Sequence, residues 1–204
     1  MQPDSGDDDR GCILEAAYHC LAQPHRGAVP VAAILARAGV STRAFYRHFQ
    51  SKDELFLAML RRETDALAER LDRISAEPRG GPVTQLQAWI DAMFAVITDT
   101  RARTHFTVID SDEVRAARGY RATREKAHAD RERSLVAILQ RGRDDGTFPL
   151  AVPEHDAVSI NAIVSRVMTH QSFRDVERVN ESKACVLDFA LRALGADRAA
   201  LVSR

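Results

Sequence analysis

Thr42, Arg43, Tyr46, Arg47, His48 and Lys52 carry donors of the kind that read or grip nucleic acid, all within eleven positions. An arginine can donate two hydrogen bonds to guanine O6 and N7, and a threonine can offer its hydroxyl to a base edge or its methyl to thymine. Thr42, Arg43 and Ala44 stand where the leading end of a helix meets base edges. Tyr46, Arg47, His48 and Lys52 follow, where hydroxyl, guanidinium, imidazole and ammonium groups can hold phosphates and fix the angle of entry. The interleaved Phe45 and Phe49 suit the core of a small domain, and Ser41 suits a helix cap that can also touch phosphate. For His48, packing against the scaffold and touching DNA stay open together.

Such a reader needs a frame, and the flanking sequence spells one out. CILEAAYHCLA carries Ile13, Leu14, Ala17, Tyr18 and Leu21 as the apolar stripe of a first helix. VAAILARAG follows Pro30, a residue tolerated at a helix start because its missing amide donor is not needed there, and Gly39 ends this second helix. Ser41 then opens a short third helix, STRAFYRHF. Two short helices joined by a tight turn form a helix-turn-helix whose last member can enter a major groove about 12 Å wide.

The formal net charge is +0, yet residues 10–62 hold eight Arg or Lys against Glu15, Asp53 and Glu54, a local balance of +5. Residues 63–204 carry 21 positive and 22 negative side chains, the mixed surface of a body without preference for a polyanion. The chain therefore divides into an acidic, disordered tail (1–9), a DNA-binding module (10–52) and a larger helical part (53–204). With 45% hydrophobic and 28% charged residues, the bulk folds as a soluble globular protein. No apolar run is long enough to span a membrane, and the start lacks the order of a secretion signal, so the expected address is cytoplasmic. Cys12, Cys20 and Cys185 make no evident disulfide framework and read as core thiols, and His128, His155 and His170 are isolated, so neither metal nor cofactor is expected. No nucleophile or phosphate-cradling motif supports an enzyme.

Leu55, Met59, Leu60, Leu67, Leu71 and Ile74 predict a long fourth helix from Lys52 to about Ser75. Further helices are expected at QLQAWIDAMFAVIT, at RTHFTVI and from about Glu113 to Arg143, giving an all-α fold. Trp89, Met93, Phe94, Phe106 and Tyr120 can line an apolar cavity between these helices or simply fill a core. HDAVSINAIVSRVMTH and ESKACVLDFALRAL, joined by the polar SFRDVERV, predict a final hairpin, with Ile160, Val164, Val167 and Met168 facing Val186, Phe189 and Ala190.

The stretch from CILEAAYHCLA through VAAILARAGVS to TRAFYRHFQSKDELF, about a quarter of the chain, resembles the DNA-binding signature of the tetracycline-repressor (TetR) family. The resemblance implies that Thr42 and Arg43 read bases, that Tyr46 and His48 contact phosphate or an adjacent base, and that Lys52 holds phosphate. The sequence departs from a frequent family pattern at Arg43, where glycine is common, and at Pro30, where threonine often caps the second helix. The resemblance further implies a small-molecule effector in the helical body and a homodimer built on the terminal hairpin, hence an approximately palindromic operator in double-stranded DNA. The expected function is a ligand-released repressor; a helical protein-interaction scaffold with a degenerate reader is the alternative.

Overall fold

The structure, a computed structural model, describes residues 5–77, 80–170 and 176–197. These residues are all-α: α1 (Ser5–Ala22), α2 (Val31–Ala38), α3 (Thr42–His48), α4 (Lys52–Ala76), α5 (Gly81–Thr98), α6 (Thr100–Ile109), α7 (Asp112–Arg115), α8 (Tyr120–Asp144), α9 (Pro153–His170) and α10 (Val176–Ala193). None of these helices is long and apolar enough to cross a membrane. They gather into two compact units: residues 5–64 with Arg103–Glu125, and the described residues of 65–102 and 126–197.

In the first unit, α1 supplies Ile13, Leu14, Ala17 and Tyr18 to a core completed by Ile34 and Leu35 of α2, Phe45 and Phe49, and Leu55, Phe56, Met59 and Leu60 of α4. Val108, Ile109, Val114 and Ala117 belong to the same core. The first unit thus incorporates α7 and most of α6, which the sequence division places in the larger helical part. Residues 5–9, expected in the acidic tail, form the first turns of α1; residues 1–4 lie outside the described residues.

Local signals set the ends of the short helices. Pro30 precedes α2 at φ −67°, and Gly39 ends it at φ +69°, a conformation that costs a glycine little. The Val40 N–H then reaches back to the Leu35 carbonyl, closing the helix end. Ser41 Oγ accepts the Ala44 N–H (3.1 Å), satisfying one of the unpaired donors at the start of α3. Ser51 and Glu54 repeat the device at α4: the Glu54 N–H donates to Ser51 Oγ (3.1 Å), and the Glu54 carboxylate accepts the Gln50 N–H (2.6 Å).

The helix expected from Glu113 to Arg143 is broken into α7 and α8. Gly119, at φ +94°, forms the turn between them, and a Cβ there would lie 3.2 Å from the Leu57 side chain. Two expectations about burial also change. Cys12 and Cys185 are exposed rather than core thiols, and only Cys20 is half-buried. The hairpin's polar joint is shorter than SFRDVERV suggests, because α10 starts at Val176; residues 171–175 lie outside the described residues.

The second unit packs α5, α9 and α10 together around Trp89, Met93, Phe94, Val164 and Ala190. Trp89 Nε1 donates to Ser134 Oγ (2.9 Å), so α8 joins the same unit through a satisfied buried donor. The C-terminal carbonyls of α4 are met by side chains: Arg141 donates to Ser75 O and to Gln85 Oε1 (2.9 Å), while Gln85 Nε2 donates to Glu77 O. Phe148, wholly buried, lies against Gly142 of α8.

A Cβ on Gly142 would fall 2.0 Å from Phe148 Cδ2. Helix propensity favours alanine over glycine by ~1 kcal/mol, but the overlap is with a fully buried ring, so sterics win. Gly142→Ala should destabilise the protein by about 1–3 kcal/mol in urea unfolding; an unchanged or raised midpoint would refute this packing. Ser41→Ala should cost about 1 kcal/mol by the same measurement, through loss of the α3 cap.

Candidate nucleic-acid interface

Seven residues make α3, too short a helix to hold itself in water, so its orientation comes from the side that is buried. Ala44, Phe45 and Phe49 are buried and His48 is half-buried, the i, i+1, i+4, i+5 spacing of one helix face. Thr42, Arg43, Tyr46 and Arg47 repeat that spacing two positions earlier and are all exposed, Tyr46 to 63%. Tyr46 thus lies on the same open face as Arg43 and Arg47.

This geometry corrects one expectation. Ala44 is buried, not displayed beside Thr42 and Arg43, because the residue preceding the Phe45 anchor shares the inward face. His48 leans toward scaffold: its ring lies 6.4 Å from that of Phe49, and its Nε2 is shielded without a hydrogen-bond partner. Ser41 is exposed and committed to the cap.

Two of the cations assigned to phosphate are engaged by carboxylates of this chain. Arg47 pairs with Asp9 (2.7 Å), a pair exposed enough on the arginine side to be worth about 1 kcal/mol or less. Lys52 pairs with Glu113 of α7, with its ammonium 5.2 Å from the Phe56 ring centroid. The Glu113 carboxylate also accepts the Val29 N–H (3.0 and 3.2 Å to its two oxygens), so it holds the chain just before α2. Asp53 reciprocates from α4 by accepting the Arg118 N–H (3.2 Å).

A second cluster joins α1, α4 and α6. The Tyr18 hydroxyl lies within hydrogen-bond reach of Met59 O (2.9 Å) and Glu63 Oε1 (3.1 Å), and the His105 ring stacks on Tyr18 with centroids 3.9 Å apart. His105 Nδ1 lies 2.9 Å from the same Glu63 oxygen, which calls for a proton on that nitrogen. Burial, then the Glu63 charge, push the Tyr18 phenol far above its ordinary range, so it stays a neutral donor. An open depression of about 830 Å³ runs alongside, lined by Cys12, His19, Arg37, Thr104 and His105 among others. Sequence reasoning missed Glu113, Glu63 and His105, since each acts on residues far away along the chain.

The five candidate ligand residues are divided between the units. Trp89, Met93 and Phe94 are fully buried in the second. Phe106 and Tyr120 flank the core of the first, Phe106 beneath the Arg124 guanidinium (6.0 Å) and Tyr120 with its hydroxyl 3.3 Å from Asp110. Of the hairpin candidates, Ile160, Val164, Met168, Val186 and Ala190 are buried within the protomer, Val167 is half-buried, and Phe189 is 45% exposed.

Residues 13–59 match the family model for bacterial regulatory proteins of the tetR family. No curated protein sequence matches the chain. Among solved structures, the chain is similar to a SmeT–triclosan complex, at 25% identity over 91% of this chain and 90% of that one, with a TM-score of 0.76. It is also similar to SmeT described as the repressor of the Stenotrophomonas maltophilia multidrug efflux pump SmeDEF (24% identity, 91% of each chain, TM-score 0.69). FadR from Bacillus subtilis in complex with stearoyl-CoA shares the fold at 17% identity, over 90% of this chain and 98% of that one, with a TM-score of 0.73. The family match falls on the same residues that build the helix-turn-helix and its core, and the all-α fold continues beyond them: residues 13–59 carry the DNA-binding segment of the tetR family of bacterial regulatory proteins, and the chain as a whole is similar in fold to SmeT.

Proposed function

We propose that the protein is a homodimeric repressor that binds a palindromic operator and is released from it by a small, largely apolar molecule. The observation that carries the reading is the two-faced α3, which buries Phe45 and Phe49 and turns Thr42, Arg43, Tyr46 and Arg47 outward. One such helix offers few contacts; two related by a dyad, with half-sites about 34 Å apart, give specific affinity and mirror the symmetry in the DNA. An effector that binds more tightly to a conformer with a different helix spacing shifts the population away from DNA, and α4, continuous from Lys52 to Ala76, is the element suited to carry that change. The relatives solved with triclosan and with stearoyl-CoA support a small-molecule effector for this fold.

The dimer reading gains from exposure on the terminal hairpin. Val158 of α9 and Phe189 of α10 are large apolar side chains left open, 52% and 45% exposed, whereas most of the stripe visible in the sequence is consumed by the protomer's own core. Phe189 is therefore the hairpin candidate best placed to meet a partner copy.

Selection of bound duplexes from a random library should return a dyad-symmetric site, and Arg43→Ala should relax preference at one base position per half-site by about 1–3 kcal/mol. Retention of all duplexes alike, weak and strongly salt-dependent, would favour the scaffold reading instead. Phe189→Glu should shift the protein toward monomer in light scattering without loss of helicity; an unchanged mass would remove Phe189 from the interface.

A further inference from the structure

We propose that Glu113 is an intramolecular rival of operator phosphate for Lys52, a positioning residue that holds this ammonium on the protein until DNA displaces it. The inference rests on the DNA-binding reading and adds a residue that sets how tightly the DNA is held. Lys52 is the first residue of α4, next to the capped turn that follows α3, so its charge stands at the edge of the reader. Its ammonium is paired with Glu113, and the two side chains are only 26% and 17% exposed, so solvent screens the pair less than the open Arg47–Asp9 pair.

The surroundings make this pair exchangeable. The Val29 N–H donates to both Glu113 oxygens, and Asp53 independently accepts the Arg118 N–H, so the segment carrying Glu113 stays fastened to the unit when Lys52 leaves. Departure of the ammonium therefore costs one ion pair rather than the docking of α7. A phosphate oxygen offers Lys52 the same charge and acceptor geometry as the carboxylate it gives up, so the exchange is nearly balanced and tunes affinity.

The test uses the full-length protein and an operator selected by the wild type from random duplexes, with affinity measured for Glu113→Gln, Lys52→Met and the double variant. Glutamine keeps one of the two oxygens that accept the Val29 N–H and removes the charge. Glu113→Gln should bind about tenfold more tightly than wild type at ~0.1 M salt, and the gain should vanish in the Lys52→Met background. A strut that merely supports the unit would give weaker binding in every background. Weaker or unchanged binding by a Glu113→Gln protein of normal thermal midpoint, or a gain that survives Lys52→Met, overturns the proposal. If the glutamine variant does not fold, Glu113→Asp, which keeps the charge but shortens the arm, decides by the same sign. Wild-type protein without any duplex preference overturns the DNA-binding reading and this one with it; retained preference with the wrong sign overturns this one alone.

Discussion

Burial of Phe45 and Phe49 is the constraint from which the reader's geometry follows. A seven-residue helix has almost no stability of its own, and two phenyl rings removed from water contribute about 2–3 kcal/mol each. Once those rings are seated among α1, α2 and α4, the rotation of α3 about its axis is determined. Every other side chain on it inherits its direction: Thr42, Arg43, Tyr46 and Arg47 outward, Ala44 inward, His48 at the margin. The chemistry of the surface is thus a by-product of the chemistry of the core.

The same dependence explains what could be read from the residue string. Pro30, Gly39 and Ser41 act within a few residues of themselves, through a missing donor, a left-handed φ and a capping oxygen, so their roles were legible before any coordinate. The face to which Ala44 belongs was harder, because Ala is compatible with either side and only the packing of its neighbour decides. The break at Gly119 hid inside a stretch of good helix formers. The hairpin stripe was read correctly as apolar, but periodicity cannot separate a surface that packs inward from one that meets a second copy; Phe189 is distinguished by exposure alone. Glu113 was invisible in principle, since its partner Val29 lies 84 residues away.

Electrostatics at the reader run opposite to the impression left by composition. The local excess of positive charge in residues 10–62 looks like a surface waiting for a polyanion, yet Asp9 and Glu113, one just before this stretch and one far after it, reach in and occupy two of its cations. Among the described residues, Arg43 and Tyr46 have no carboxylate partner, and both remain exposed. On the proposed reading the tasks separate: Arg43, expected to read bases, is left open, while Arg47 and Lys52, expected to hold phosphate, are partly neutralised. Such moderation favours discrimination, because phosphate contacts strengthen binding to all sequences alike.

The compact unit that contains the reader also contains α7 and most of α6, and this gives the stacked Tyr18–His105 pair and the Glu113 clasp a common consequence. His105 of α6 reaches α1 by stacking on Tyr18 and reaches α4 through Glu63; Glu113 of α7 reaches the entry to α2 and the start of α4. The segment 103–125 therefore touches α1, α4 and the chain leading into α2, while α3 rests on the core they share and on its Arg47–Asp9 pair with α1. On the proposed reading, a displacement of this segment would strain the part-buried hydrogen bond between His105 and Glu63 and, through it, the frame on which α3 rests. Close-packed interiors pass on such shifts as discrete rearrangements, which is the property a regulator needs if one bound molecule is to alter the grip of a helix it does not touch.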